Sequence, residues 1–314
     1  MTTLWGVLVT FHRVDLLPET LGRIAAQTRA PDQLVVVDNG SDARVRAVVT
    51  SFGAHYIDAG DNLGPAGGIS LGMSYVLDRA HPDDWLMLFD DDDPPETPES
   101  VAEVLTFAQS CLAANPRAGA AGLVGARYDH RRGQLVRVPD AELEGVVDVD
   151  YIGGGQLPVY RCAALFDVGV FDGSLFFGFE DLDHGLRMRR AGYGLYVDGA
   201  PWLRRRTQNG RAGLTHGSSR TWVVPWRRYY TARNLALIAR EHSSAAVGWR
   251  VAVLGALAGA AAVTEPRSGV AGGVAGLRGA VDALLGRRGR RVEPVNVQGR
   301  LKSPRWAGTR GVNP

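Results

Sequence analysis

Short apolar runs that alternate with helical patterns leave this chain few folds to choose from. Gly6-Val7-Leu8-Val9-Thr10-Phe11 and Leu34-Val35-Val36-Val37 read as buried strands, since they are β-branched and too short for helices. Between them, leucines and Ile24 recur at helical spacing from Asp15 to Gln27. Strand, helix, strand in this order predicts a right-handed parallel crossover. The pattern then repeats, with a short helix over Val45–Ser51 and a strand over Ala54–Ile57. A glycine-rich loop, Asp61-Asn62-Leu63-Gly64-Pro65-Ala66-Gly67-Gly68, is expected to open a helix from Ile69 to Ala80. The fold class is therefore α/β, with a mixed, mostly parallel central sheet flanked by helices.

The next strand, Trp85 to Phe89, runs straight into Asp90-Asp91-Asp92-Asp93, and Pro94-Pro95 stop it. Like charges crowded at a strand end are unfavourable unless a cation or strong donors neutralise them. In open α/β sheets the carboxyl end of a strand is also where ligands bind. Most acidic runs are solvated turns. Here the apolar lead-in and the proline exit favour a divalent-cation site.

A dinucleotide cofactor is disfavoured. Its glycine fingerprint belongs directly after the first strand, where Thr10-Phe11-His12-Arg13 stands instead. Asp38, closing the second strand, could bond a ribose or a base edge, although Asp-Asn-Gly-Ser is also ordinary turn chemistry. The chain of 314 residues suffices for one large domain plus an extension. Its net charge of +2 hides an asymmetry, with acids in the middle and arginines at the end, and no nucleic-acid partner is expected. Two cysteines, Cys111 and Cys162, are too few for a disulfide framework, so a reducing, cytoplasmic compartment is expected. Met1 to Trp5 lack the basic-then-apolar pattern of a secretory leader.

The second half changes character. Pro98–Asn115 reads as a helix, Gly122–Ala126 as a strand, and residues 127–150 as β-rich and loop-heavy. The glycine loop Tyr151-Ile152-Gly153-Gly154-Gly155-Gln156 would let a substrate or a backbone approach closely. Phe176, Phe177 and Phe179 precede Glu180-Asp181-Leu182-Asp183-His184-Gly185-Leu186-Arg187, which reads as a helix start. Asp183 and Arg187 are spaced to pair along that helix. Aromatic neighbours would place Glu180 or Asp181 against a partly apolar cavity, which makes a carboxylate a better proton acceptor. Gly192 is placed as a C-cap. Residues 194–206 are expected as a strand, and Trp226 to Asn234 as the opening of a helix. Val247–Val263 is apolar but carries Arg250, and is not expected to span a membrane. Gly269–Arg291 is amphipathic and basic, which fits an anionic membrane surface and fits a solvated tail equally well. Residues after 292 are expected to be loose.

Together these residues resemble the inverting family 2 glycosyltransferases of GT-A fold. The likeness covers residues 4 to 240, and its motifs keep the family's order. They are the first strand and helix, the turn from Val36 to Ser41, Asn62 to Gly68, the acidic strand end, Glu180 to Asp183, and Tyr229-Tyr230 with Arg233-Asn234. The Asn-Leu-Gly-Pro-Ala-Gly-Gly form is similar to the branch with galactofuranosyl- and rhamnosyltransferases. The resemblance implies a GT-A domain over residues 1–240, split into a nucleotide-sugar half, 1–125, and an acceptor half, 126–240. A helical basic extension over 241–314 would follow.

For the site, the resemblance implies that Asp92 and Asp90, with His216, hold Mn²⁺ or Mg²⁺. Thr10, Phe11, Arg13, Asp38, Asn39, Asp90 and Asp91 would line the base and ribose, and Asn62, Gly64, Gly67 and Gly68 the sugar and phosphates. Asp181 would be the catalytic base, with Gly154, Gly155, Glu180 and Asp183 on the acceptor side. The donor implied is a UDP- or dTDP-linked sugar, and the acceptor a hydroxyl, including that of a lipid-linked glycan. The location implied is cytoplasmic, peripheral at the inner face of the plasma membrane. The helix at Arg228-Tyr229-Tyr230 could bind a lipid-linked pyrophosphate or brace the catalytic wall. Two other classes stay open. A sugar-nucleotide pyrophosphorylase would want a lysine-bearing phosphate loop after the first strand, and a membrane-associated sugar-binding scaffold would lack metal-dependent nucleotide binding.

Overall fold

The computed structural model describes residues 2–153, 157–213, 224–264 and 269–294. The first half runs β1 (Leu4–Thr10), α1 (Leu17–Ala25), β2 (Gln33–Asp38), α2 (Ala43–Ser51), β3 (His55–Asp58), α3 (Gly64–Leu77), β4 (Trp85–Asp90) and α4 (Ser100–Ala114). Then come β5 (Ala118–Gly122), β6 (Gly125–Asp129), β7 (Gln134–Val136), β8 (Val146–Val149), β9 (Tyr151–Ile152), β10 (Val159–Arg161) and α5 (Cys162–Val168). The rest is α6 (Glu180–Arg190), β11 (Gly194–Asp198), α7 (Gly199–Gln208), α8 (Pro225–His242), α9 (Ala245–Ala261) and α10 (Gly269–Leu284).

Eight strands form the main sheet in the order β3-β2-β1-β4-β10-β5-β11-β8. Strands β1 to β4 are mutually parallel, as are β5 and β11, while β10 and β8 run against their neighbours. Both faces of β1 are buried. Leu4 and Leu8 enter one core with α1, α2 and α4, and Trp5 and Val7 enter the other with α3, α5 and α6. Two covered faces explain the unbroken apolar run. Every parallel strand therefore delivers its carboxyl end to the same edge, where Thr10, Asp38 and Asp90 close their strands.

Three expectations need correction. The strand placed over Gly122–Ala126 is the junction of β5 and β6. The all-small β5 carries little strand signal because a Cβ on Gly119 would stand 2.6 Å from Met188 Cε. The strand placed over 194–206 ends at Asp198, whose carboxylate accepts from Ala200 N–H at 3.2 Å and caps α7. Buried Trp202 and Arg206, four apart, form the inner face of that helix. The glycines expected in a loop before Ile69 lie inside α3 itself. Ala245–Thr264 is, by length and composition alone, long and apolar enough to cross a membrane. Helix α8 packs with α9 and α10 as a three-helix cluster.

Candidate active site

Strand geometry builds the acidic tip. Parallel pairing sets Val9 beside Asp90, so the residues that leave β1 and β4 emerge together. The Thr10 hydroxyl donates to the Asp91 carboxylate at 2.9 Å, and the Thr20 hydroxyl donates to the Asp91 carbonyl at 2.9 Å. The Phe11 N–H also donates to Asp91. Arg13 pairs with Asp92 and approaches Asp91 at 3.5 Å. Burial pushes Asp91 above the usual carboxylate range, against the pull of Arg13 and Thr10. Asp90 is pushed up to about 7, first by burial and then by the charge of Asp92. One oxygen from each of Asp90, Asp91 and Asp92 falls within 4.8 Å of the others. Converging carboxylates that resist ionisation together are the oxygen donor set a hard divalent cation relieves. Asp93 turns instead to Arg205 of α7, 3.5 Å away.

Asp38, Asn39 and Asn62 shape the wall beside this tip. The Asp38 carboxylate is buried and accepts from the N–H groups of Gly40 and Asp42, both at 2.8 Å, and from Tyr56 Oη at 3.0 Å. The Asn39 amide donates to the Gly64 carbonyl at 2.9 Å, while its own buried oxygen finds no protein donor. Asn62 accepts from Gly64 N–H at 2.9 Å in the turn that leads into α3. Gly64 has φ of +70°, and a Cβ there would meet the Phe176 carbonyl at 2.1 Å. A Cβ on Gly68 would strike Val9 at 2.6 Å and Asn39 at 2.8 Å. Gly67 sits beside them in the same first turns of α3. These glycines let the helix start press onto the strand ends and onto the 173–179 segment.

That segment delivers the acidic pair through unusual backbone. Phe176 adopts φ 62° and ψ −56°, with Phe177 N–H donating to the Leu175 carbonyl at 2.7 Å, which is a γ-turn of the rare, strained hand. Gly178 has φ of +79°, and Phe179 is left-handed at φ 70°. Residues held in such regions mark sites where the surroundings over-determine the chain. Glu180 and Asp181 then open α6. Glu180 is buried, one carboxyl oxygen lacks a hydrogen-bond partner, and its pKa is pushed up to about 8 by burial and by the charge of Asp181. Tyr151 donates its hydroxyl to Asp181, and the Asp181 charge, ahead of burial, holds that phenol well above its usual range. Tyr160 of β10 is buried, with the charge of Asp181 felt nearby.

Asp183 is better described as part of the helix packing than of an acceptor wall. Arg187 donates to one of its oxygens at 2.9 Å and His242 holds the other at 2.8 Å. Burial alone would raise it, but His242 and Arg187 hold it below the usual range. His184 is buried between Tyr160 and Phe171, with burial lowering its pKa to about 3, so it stays neutral.

Helix α8 ties both halves together. Arg227 lies over the rings of Phe177 and Trp226, 5.2 Å from each, and within electrostatic reach of Asp92 and Arg13. Arg233 is fully buried and donates to Asn234 Oδ1 at 2.9 Å, Gly289 O at 2.6 Å and Leu175 O at 2.7 Å. The Asn234 amide reaches the carbonyls of Leu175, Phe177 and Gly178 at 3.1, 3.0 and 2.8 Å. Arg233 and Asn234 therefore brace the segment that leads to Glu180. Sequence reasoning overlooked Tyr151, Arg205 and Arg227, for no spacing rule joins residues this far apart. Gly154, Gly155 and His216 lie outside the described residues.

The glycosyl transferase family 2 profile matches residues 7–133. Galactofuranosyltransferase GlfT1 of Mycolicibacterium smegmatis is 32% identical over 201 residues, spanning 60% of this chain and 65% of the relative. GlfT1 of Mycobacterium tuberculosis is 31% identical over 213 residues, spanning 63% of this chain and 69% of the relative. Among solved structures, the mannosyltransferase PcManGT from Pyrobaculum calidifontis, in complex with GDP-Man and Mn²⁺, aligns with a TM-score of 0.50 at 17% identity. That alignment covers 90% of this chain and 87% of the other, and shares the GT-A fold.

Proposed function

This chain belongs to glycosyl transferase family 2, and from that premise we propose that it moves a hexosyl group from a nucleotide-diphosphate sugar to a hydroxyl acceptor with inversion. The donor favoured is UDP-galactofuranose-like, on the GlfT1 relatives, or dTDP-rhamnose-like. The acceptor class is a glycan, lipid-linked glycans included. Asp90 and Asp92, with Asp91 beside them, would hold Mn²⁺ or Mg²⁺, which fits their converging oxygens. Such an ion offsets the charge that builds on a departing diphosphate.

Asp181 takes the proton of the acceptor hydroxyl, whose oxygen bonds to the anomeric carbon as the bond to the diphosphate breaks. A Glu180 that keeps its proton leaves one negative charge in the pair, and Tyr151 orients the Asp181 carboxylate. The observation that carries this reading is Arg227. It lies over Phe177, in the aromatic run that leads to Asp181, and within electrostatic reach of Asp92 at the strand tip, so one side chain links the two acidic groups. The free, buried Cys111 and Cys162 suit a reducing compartment, which supports a cytoplasmic location, and we place the enzyme at the inner face of the plasma membrane.

A donor screen with UDP-, dTDP- and GDP-sugars tests this by diphosphate release, with Mn²⁺, Mg²⁺ or chelator. Asp181→Asn is expected to keep metal-dependent donor binding by titration calorimetry while turnover falls by about 10²–10⁴-fold, the usual worth of a general base. Full turnover in that variant would sink the assignment. A sugar-binding scaffold would give no turnover and no metal-dependent nucleotide binding.

A further inference from the structure

The chain's exposed large apolar side chains are concentrated in one place. Ten of the fifteen among the described residues fall between Trp249 and Leu285, eight of them on α9 and α10. These helices run antiparallel, pressed together where Gly259 meets Gly273 and Gly276. Their inner faces are small: Gly248, Ala252 and Gly259 on α9, and Gly272, Gly276 and Gly279 on α10, are all buried. Their outer faces are not. On α10, Val270, Val274, Leu277, Val281 and Leu284 recur at helical spacing, and Val270 is 68% exposed. On α9, Trp249 is 61% and Leu257 60% exposed. Folded monomers rarely leave such a stripe to water.

Charge identifies what covers it. Residues 245–294 carry seven arginines against three acids, a balance of +4. Arg250, Arg278, Arg287 and Arg291 stay exposed on and beside these helices. The apolar stripe thus faces out, with exposed arginines on and beside the same helices.

We propose that the outer face of α9 and α10 lies flat on an anionic bilayer, with Trp249 and the α10 stripe in the acyl boundary and the arginines on lipid phosphates. Lying flat preserves the packing beneath. Crossing the bilayer would strip α10 from α8 and expose Asp282, which is buried and accepts from Tyr229 at 2.6 Å and Arg287 at 3.0 Å. It would also break the Arg233 bond to Gly289 that braces the wall before Glu180. The proposal deepens, and rests on, the membrane-side location inferred above.

The test is co-sedimentation of the full chain with vesicles of phosphatidylcholine, alone or mixed with phosphatidylglycerol, at low and high salt. Wild type is expected to bind the anionic vesicles about tenfold or more tightly, with high salt weakening the binding. Val274→Glu combined with Leu277→Glu is expected to lose roughly tenfold or more of that binding. The same variant should turn over a water-soluble acceptor at the wild-type rate. Wild type that binds no vesicle would overturn the location and this surface together. Wild type that binds, with the double variant binding equally, would overturn this surface and leave the location standing. Resistance to alkaline carbonate extraction would refute the flat geometry, and a dimer broken by the same substitutions would make the occupant a second copy.

Discussion

The brace on the segment before Glu180 makes a quantitative prediction. In Asn234→Ala the carbonyl of Leu175 keeps its bond from Arg233, but the part-buried carbonyls of Phe177 and Gly178 lose their donor and the buried Arg233 Nε–H loses its acceptor. A buried polar group left unmade costs about 1–3 kcal/mol, so the three cost about 3–9 kcal/mol before water reaches the two carbonyls. Phe176 and Phe179 hold strained dihedrals worth about 1–3 kcal/mol each, and relaxing them once the brace is cut returns part of that loss. A net destabilisation of about 2–4 kcal/mol follows, which for a large domain lowers the melting temperature by roughly 5–15 °C. The larger effect is on chemistry. The relaxed segment no longer aims Asp181, so kcat should fall by about tenfold to a hundredfold at temperatures where the variant is folded. KM for the donor should move less than about threefold, since β1, β2 and β4 build the tip without α8. Thermal melts and diphosphate-release kinetics below the transition decide it. Wild-type kcat in a variant melting several degrees lower would show that the brace stabilises the fold without positioning the base.

Glu180→Gln should stabilise the protein, and by more as pH rises. A folded pKa near 8 against an ordinary 4.5 means that Glu180 supports folding fully below the lower value and loses that support as pH climbs through the higher one. Melting curves of both proteins across that window should diverge upward with pH, and a constant gap would refute the burial argument. Tyr151→Phe removes a donor to the ionised Asp181, so the acid limb of the pH–rate profile should move up by about one unit while the fold persists. An unmoved limb would mean that the phenol only packs.

Much of the first half of the fold was legible because its elements are local. The apolar runs at Gly6–Phe11 and Leu34–Val37 have the length and β-branching that both-faced burial demands, and β1 and β2 lie within two residues of them. The acidic tip announced itself because four aspartates after a buried strand have no inexpensive structural explanation. The second half resisted for equally physical reasons. Strand β5 is all alanine and glycine, chosen for close passage under Met188 and Tyr193, and such residues carry no pattern. Helix α7 looked extended because its inner face is only Trp202 and Arg206. The left-handed Phe176 and Phe179 defy local preference, and what holds them, Arg233 and Asn234, stands more than fifty positions away.

Strand β10 reverses direction between β4 and β5, and these two never touch each other as sheet neighbours. Met87 and Ala121 both take Val159 as their partner, so one late tripeptide zips two earlier blocks along their open edges. During synthesis the first hundred and twenty-odd residues must wait, with β4's rim unpaired, for a segment some seventy positions downstream of that strand. The block from β1 to β4 is consequently no transplantable module. Severed before Val159, it would carry a bare apolar border inviting any passing strand to finish the sheet.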